Sequence, residues 1–355
     1  MTNVKLGLVG CGPMGAKHFK AVHSLPGVEI AAVCDKDHAR AKFVAAQFPS
    51  LRADPAVFDN AGAMCSKIGL DGVIIATSDF AHLDPVKQVA AFNIPIFLEK
   101  PLASTVEDAD AIIDACAAAP VQLAVGQILR FEPAYLSMYQ AVQDGRLGRF
   151  VSAFLRRHSL QSVAERLAPT TNVLDYLSIH DFDQLRWINP GEITEVSARA
   201  AKGPIYEKHG SPDAVYTVIN FADGGMACVE SAWSLTSSWG GTGADTHWQP
   251  FGDVRFDLYG SDGFLSLDFR MMNVIGVSTQ HGFMAPENRH WPDIHGRTGG
   301  ALREELIDFV HMITTGTAPV VNGYEARKAV VIVDAAKKSL ANGGAAVRPL
   351  PDRVA

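Results

Sequence analysis

No run of lysine or arginine long enough to grip a polyanion occurs in this sequence. Thirty-one basic residues are set against 38 acidic ones, for a net charge of −7. A nucleic-acid partner is therefore not expected. Cysteine is scarce, and none of the five (Cys11, Cys34, Cys65, Cys116, Cys228) stands in a CxxC or CxxxxC spacing. That argues against a zinc ribbon or a redox pair and predicts buried, reduced thiols in a reducing compartment. The histidines show neither HxH nor HxxxH spacing, so no catalytic metal is expected. No apolar run approaches the roughly 18 residues of a membrane span, and the opening MTNVKLGLVGCGPMG is too short and glycine-broken for a signal peptide. The expected location is cytoplasmic, with no membrane partner.

What is present is a change of pattern along the chain. Up to about residue 123, short apolar runs (Val4–Val9, Val28–Cys34, Gly72–Ala76, Pro95–Leu98, Val121–Val125) alternate with helical stretches (Asp37–Phe48, Ala81–Phe92, Val106–Ala119). Apolar strands separated by helices predict a doubly wound parallel sheet, an α/β Rossmann domain over residues 1–123. Beyond it, helices are predicted at Pro133–Asp144 and Thr171–Ile188, with a strand at Arg149–His158. Longer alternating runs follow at Glu192–Ala200, Ala214–Phe221, Met226–Trp233, Val254–Tyr259, Phe264–Leu267 and Val274–Ser278, joined in part by ADGG and GSDG turns. Two helices, Ala301–Thr314 and Tyr324–Ala341, close the chain. Residues 124–355 thus read as an α+β substrate-binding and oligomerisation domain, a mainly antiparallel open sheet with helices on one face. Its other face needs cover, which predicts a homodimer or homotetramer.

The first predicted strand runs straight into Gly10-Cys11-Gly12-Pro13-Met14-Gly15 and then a helix. In that setting GxGxxG is a strong dinucleotide signal. Gly10 permits the tight turn, Gly12 the approach of pyrophosphate, and Gly15 close helix–strand packing. Asp35 ends the second strand 20 positions after Gly15. There a carboxylate accepts from ribose hydroxyls and repels a 2′-phosphate, which favours NAD. Lys36 beside it leaves NADP possible.

A second signal is Phe97-Leu98-Glu99-Lys100-Pro101-Leu102 at the end of a parallel strand. GxGxxG, the segment Ile74-Ile75-Ala76-Thr77 with His82 after it, and Glu-Lys-Pro together resemble the glucose–fructose oxidoreductase/inositol dehydrogenase/MocA (Gfo/Idh/MocA) family. The resemblance continues through Arg130-Phe131, Gly145…Gly148, His180 and Glu230…Trp233. It implies that Lys100 lies between nicotinamide and substrate and that Pro101 follows a cis bond. Ala76, Thr77, His82 and Glu99 would then line the cofactor, with Glu99 orienting cofactor or Lys100. A lysine so placed can polarise a hydroxyl or carbonyl.

The resemblance further places a proton-transferring histidine, His180, on the helix VLDYLSIHDFDQLRW. Many polyol-oxidising members carry an aspartate four residues before it. Here Tyr176 holds that position and Asp175 stands one further back. Either Tyr176 partners His180, with Asp175 reaching substrate, or the helix is distorted and Asp175 itself is the partner. Asp183 is placed to pair with Arg186, and Asp181 to be solvated. Arg130, His158 and Trp233 are candidates for substrate contact, and His247, Trp248 and His295 lie in or beside loops of the same domain. The reading is an NAD(P)-dependent dehydrogenase or reductase acting on a secondary hydroxyl or carbonyl of a sugar, cyclitol or related polyol. A reductase of another small carbonyl compound and a non-catalytic dinucleotide-binding regulator remain as alternatives.

Overall fold

In the computed structural model, which describes residues 3–47, 54–236, 252–269, 276–279, 282–284 and 288–354, the N-terminal strands form one parallel sheet. In chain order the elements are β1 (Val4–Val9), α1 (Pro13–His23), β2 (Val28–Cys34), α2 (His38–Gln47), β3 (Ala56–Phe58), α3 (Ala61–Lys67), β4 (Gly72–Ile75), α4 (Leu83–Ala90), β5 (Ile96–Glu99), α5 (Val106–Ala117) and β6 (Leu123–Gly126). The strand order is β3-β2-β1-β4-β5-β6, and every pairing is parallel. Winding starts at β1 and runs outward both ways, so the switch point lies between β1 and β4, where such sheets bind ligands. β4, β5 and β6 are buried at every position, as strands covered on both faces must be. The three-residue β3 and the short α3 carry too little pattern to be foreseen.

The second sheet follows α6 (Pro133–Gln143), with β7 (Phe150–Leu160), α7 (Gln161–Leu167), α8 (Ile179–Ile188), β8 (Ile193–Ala201), α9 (Pro204–His209), β9 (Ala214–Phe221), β10 (Met226–Leu235), β11 (Asp253–Gly260) and β12 (Phe264–Asp268). Its order is β12-β11-β7-β10-β9-β8, antiparallel except for the parallel β7–β10 pair. α7 and α9 were not foreseen. Ser278 and its neighbours fall outside this sheet, in a two-stranded ribbon of β13 (Gly276–Ser278) and β14 (Gly282–Met284); Val274 and Ile275 lie outside the described residues. A second ribbon, β15 (Asp293–Ile294) with β16 (Arg297–Thr298), precedes α10 (Gly300–Thr315) and α11 (Gly323–Ala341).

The compact units are not contiguous in sequence. The first comprises residues 1–131, 290–327 and 353–355, the second 132–289 and 328–352. In the first, α10 covers the parallel sheet. Phe309 stands 5.7 Å from Phe97 of β5, ring to ring, and a methyl group at Gly72 would lie 2.9 Å from the Phe309 ring. Val321 and Asn322 pair with the edge strand β6, and Arg327 forks onto Asp110 of α5 at 2.7 and 3.1 Å.

Alternation decides what each face of the second sheet does. On the helix side, Arg157 of β7 is 1% exposed and forks onto Asp181 of α8. It also donates to the Tyr135 hydroxyl at 2.9 Å. Asp181 is therefore not solvated but half of a buried ion pair that anchors α8 to the sheet. Losing one partner of such a pair costs about 3–5 kcal/mol. Arg186 pairs with Asp352, not with Asp183. The opposite face carries Tyr216, Met226, Tyr259 and Phe264, all exposed.

Among the described residues the cysteines are unbridged, and all but Cys228 are buried. Burial pushes the thiols of Cys11, Cys34 and Cys116 up to about 12 and that of Cys65 to about 11, so none is poised as a nucleophile. No described helix is long and apolar enough to cross a membrane.

Candidate functional site

In the first unit, β1 and β4 end together and their loops meet at the glycine-rich turn. Gly10 has φ +91°, and a methyl group there would lie 2.6 Å from the Ala76 carbonyl. A methyl at Gly15 would lie 1.9 Å from the Gly10 carbonyl oxygen, while nothing stands within 4 Å of one at Gly12. Only glycine fits the first and third positions, and the middle one opens outward. Pro13 opens α1 with Gly12 as its N-cap and no side chain capping it. The free amide ends of α1 and its dipole therefore meet that open space, where a pyrophosphate fits. Met14 follows in the first turn. A cavity of about 380 Å³ adjoins, lined by Cys11, Gly12, Pro13, Ala16, Arg40, Phe43, Val44 and Gln47.

Asp35 sits at the C-terminal end of β2 and is fixed from two sides. Cys11 N–H donates to one oxygen at 2.8 Å and Asp37 N–H to the other at 2.9 Å. Lys36 is exposed. Arg40, which the sequence did not single out, pairs with Asp37 at 3.1 Å and stands 3.9 Å from Asp35. Its signal lay in its register in the first turn of α2, visible only once the cavity is formed.

Ala76 is buried and Thr77 donates to the Ala81 carbonyl at 3.3 Å. His82, 1% exposed, stands 3.4 Å from the Leu102 carbonyl and 3.3 Å from that of Thr77. Burial lowers its pKa, so the neutral ring donates to one of these two carbonyls. It braces the loop after β4 and the one after Pro101. The Lys100–Pro101 bond is cis, as the resemblance implies. Lys100 is half-buried, and Glu99 accepts its backbone N–H at 3.0 Å. Arg130 is buried with its guanidinium 3.6 Å from Glu325.

In the second unit, the helix before α8 departs from α geometry. Leu174–Ser178 is a π turn, in which Ile179 N–H donates to the Leu174 carbonyl five residues back. The turn takes in one extra residue. Asp175, five before His180, thereby gains the place on the helix face that a residue four back has in an α-helix. Asn172 accepts the Leu174 and Asp175 amides and starts the turn. Asp175 is 5% exposed and paired with Lys337 at 2.7 Å; His180 is 6% exposed. Tyr176 is instead stacked on Trp233 of β10, ring centroids 5.3 Å apart.

His158 and Trp233 are not brought together. His158 is one position on from Arg157 and faces away from the helices, 2.9 Å from Glu230, which also accepts from Arg156 and Tyr216. His295 is exposed with φ +53°, and His247 and Trp248 lie outside the described residues. Sequence reasoning also missed His18 and Glu305, two helical residues that meet Glu99 through tertiary packing alone.

With this geometry in hand, comparison with known proteins is direct. Residues 4–127 match the oxidoreductase family with an NAD-binding Rossmann fold, and residues 135–266 match the GFO/IDH/MocA C-terminal domain. The rhizopine catabolism protein MocA of Rhizobium meliloti is 31% identical over 346 residues, 96% of each chain. The scyllo-inositol 2-dehydrogenase (NAD(+)) of Bacillus subtilis is 28% identical over 345 residues, 96% of this chain and 95% of that one. The fold is that of scyllo-inositol dehydrogenase from Lactobacillus casei, solved with NAD(H) and scyllo-inositol. Its TM-score is 0.81 at 18% identity, and the match covers 98% of this chain and 99% of that one.

Proposed function

The chain belongs to the Gfo/Idh/MocA family of NAD-dependent oxidoreductases, and from that premise we propose that it interconverts a secondary alcohol and a ketone on a cyclitol, sugar or related polyol. The observation that carries this reading is the π turn, which sets a buried carboxylate one turn before His180. When bound, NAD supplies the acceptor of the hydride. The remaining work falls to side chains. His180 takes the hydroxyl proton, Asp175 orients its ring and balances the charge it gains, and Lys100 donates to the substrate oxygen. Inositol and apiose dehydrogenases among the relatives support a polyol substrate. The test is NADH formation by the purified chain against a panel of inositols, pentoses and hexoses. Turnover of a cyclitol or sugar is the expected result, and no turnover across the panel in either direction would overturn it.

We also propose NAD over NADP. Asp35 is fixed at the β2 terminus, and Arg40, 3.9 Å from it, is engaged with Asp37. Titration calorimetry should give NAD an affinity at least about tenfold higher. Equal binding would shift the weight to Lys36 and Arg40.

For assembly we propose that the exposed face of the second sheet takes a second copy of the chain. Tyr259 and Phe264 stack there, 6.0 Å apart, Met226 lies two strands away across the same face and Tyr216 further along it, all exposed, and exposed apolar side chains on an open sheet face mark an interface. Sedimentation should find a dimer or tetramer that Phe264→Glu dissociates; a monomeric native chain would rule it out.

A further inference from the structure

Beneath Lys100 lies a group of titratable side chains that the proposed chemistry does not use. His18 of α1 and Glu99 of β5 approach to 2.6 Å. Glu305 of α10 joins them, with ligand atoms of all three residues within 4.8 Å of one another. The group is sealed: His18 is 0%, Glu99 7% and Glu305 1% exposed. The Phe97 ring packs edge-on to the His18 imidazole at 5.3 Å, and Phe309, one turn beyond Glu305, packs on Phe97. Both carboxyl oxygens of Glu305 are buried without a hydrogen-bond partner.

Two carboxylates this close in a dry site do not both ionise. The His18 imidazole is committed to Glu99 at 2.6 Å. Lys100 follows Glu99 in the chain and also acts on it. Arg130, on the short helix against which α10 packs, is paired with Glu325.

We propose that Glu305 is a positioning residue, held as a neutral carboxylic acid against the His18–Glu99 pair, which leaves the negative charge on Glu99 and its carboxylate on the Lys100 amide. Burial, with the Glu99 charge added, pushes the Glu305 carboxyl well above the usual carboxylate range. Although burial pushes Glu99 the same way, the His18 bond and the His18 and Lys100 charges hold its carboxyl below that range. The two acids are driven apart, as in a pair that divides one proton. The Glu99 oxygen that does not face His18 accepts the Lys100 N–H, so keeping the charge on Glu99 keeps in place the backbone that presents the lysine. Only this last link rests on the dehydrogenase reading.

The experiment is infrared difference spectroscopy of the full chain at neutral pH, without cofactor or substrate, native against Glu305→Gln. Native protein should show the carbonyl band of a protonated carboxyl, downshifted in D2O, and the Gln chain should lack it at an unchanged melting temperature. A native chain without the band, a band that survives in Glu305→Gln, or a Gln chain that does not fold would overturn the proposal, because glutamine is the closest uncharged stand-in for the acid. So would one divalent metal ion per chain in elemental analysis of native protein that is lost in the variant. With substrate, Glu305→Ala should lower kcat between about ten- and a hundredfold at near-constant KM, and Gln should restore it. Equal kcat in all three chains would remove the link to Lys100. If the band behaves as stated and no polyol is turned over, the dehydrogenase reading fails and the neutral Glu305 stands.

Discussion

Replacing Lys100 with alanine is expected to lower kcat by at least about a hundredfold, the range of a positioned acid–base group, while NAD affinity stays nearly unchanged. The two readouts separate because different parts of the first unit carry them. On the proposed reading the turn at Gly10 and Gly12 and the start of α1 offer backbone groups to the pyrophosphate, a contact that loss of the lysine ammonium leaves in place. Lys100 instead stands at the C-terminal end of β5 with its own amide held by Glu99. An interaction made chiefly in the transition state shows in kcat and equally in kcat/KM. Lys100→Arg should not rescue, because a planar guanidinium presents its charge further out and in a fork. Full turnover in Lys100→Ala, measured on a confirmed substrate with steady-state kinetics and cofactor calorimetry, would remove this residue from the chemistry.

The second large effect belongs to the helix with the π turn. His180→Ala is expected to cost between about 10² and 10⁴ in kcat. Asp175→Asn should cost between about ten- and a hundredfold, the scale on which orienting partners act. Tyr176→Phe should be nearly silent. This ranking follows from the extra residue in the turn, which gives Asp175 the place one turn before His180 and puts the Tyr176 ring on Trp233. Melting temperatures measured alongside separate chemistry from folding, since Asp175 also pairs with Lys337. The reverse order, Tyr176→Phe crippling and Asp175→Asn silent, would mean that the hydroxyl is the partner. Silence at all three positions would favour a dinucleotide-binding regulator without catalysis.

Sequence spacing alone left Tyr176 and Asp175 as rivals because it assumes 3.6 residues per turn. No residue in LDYLS announces a five-residue hydrogen bond; the winding is set by packing against β10, where Ser178 also bonds Ser231 at 2.8 Å. What was legible was periodicity and punctuation. β1, β2 and β9 fall where the apolar runs begin and end, and GxGxxG turns where its glycines require. The three-residue β3 and the helices α7 and α9, two turns or fewer, offer too few positions for a pattern. Single polar residues mislead for a related reason. His158 and Arg157 look alike in sequence, yet one step along a strand sends them to opposite faces, one to Glu230 and the other to Asp181. Glu305 meets Glu99 only once α10 is laid on β5.

The covering of the parallel sheet by α10 also bears on how the chain is made. The six strands of the first unit are complete in sequence by Gly126, but the residues that close over Phe97 and flank β6 come from 290–327. Residues 132–289 are synthesised in between. At about 5–20 residues per second the wait is on the order of ten to thirty seconds. Throughout it a nascent chain carries an apolar sheet face and an open edge strand, the two surfaces most prone to adhere to other chains. Sharing one core between two ends of a polypeptide thus turns a matter of packing into one of timing.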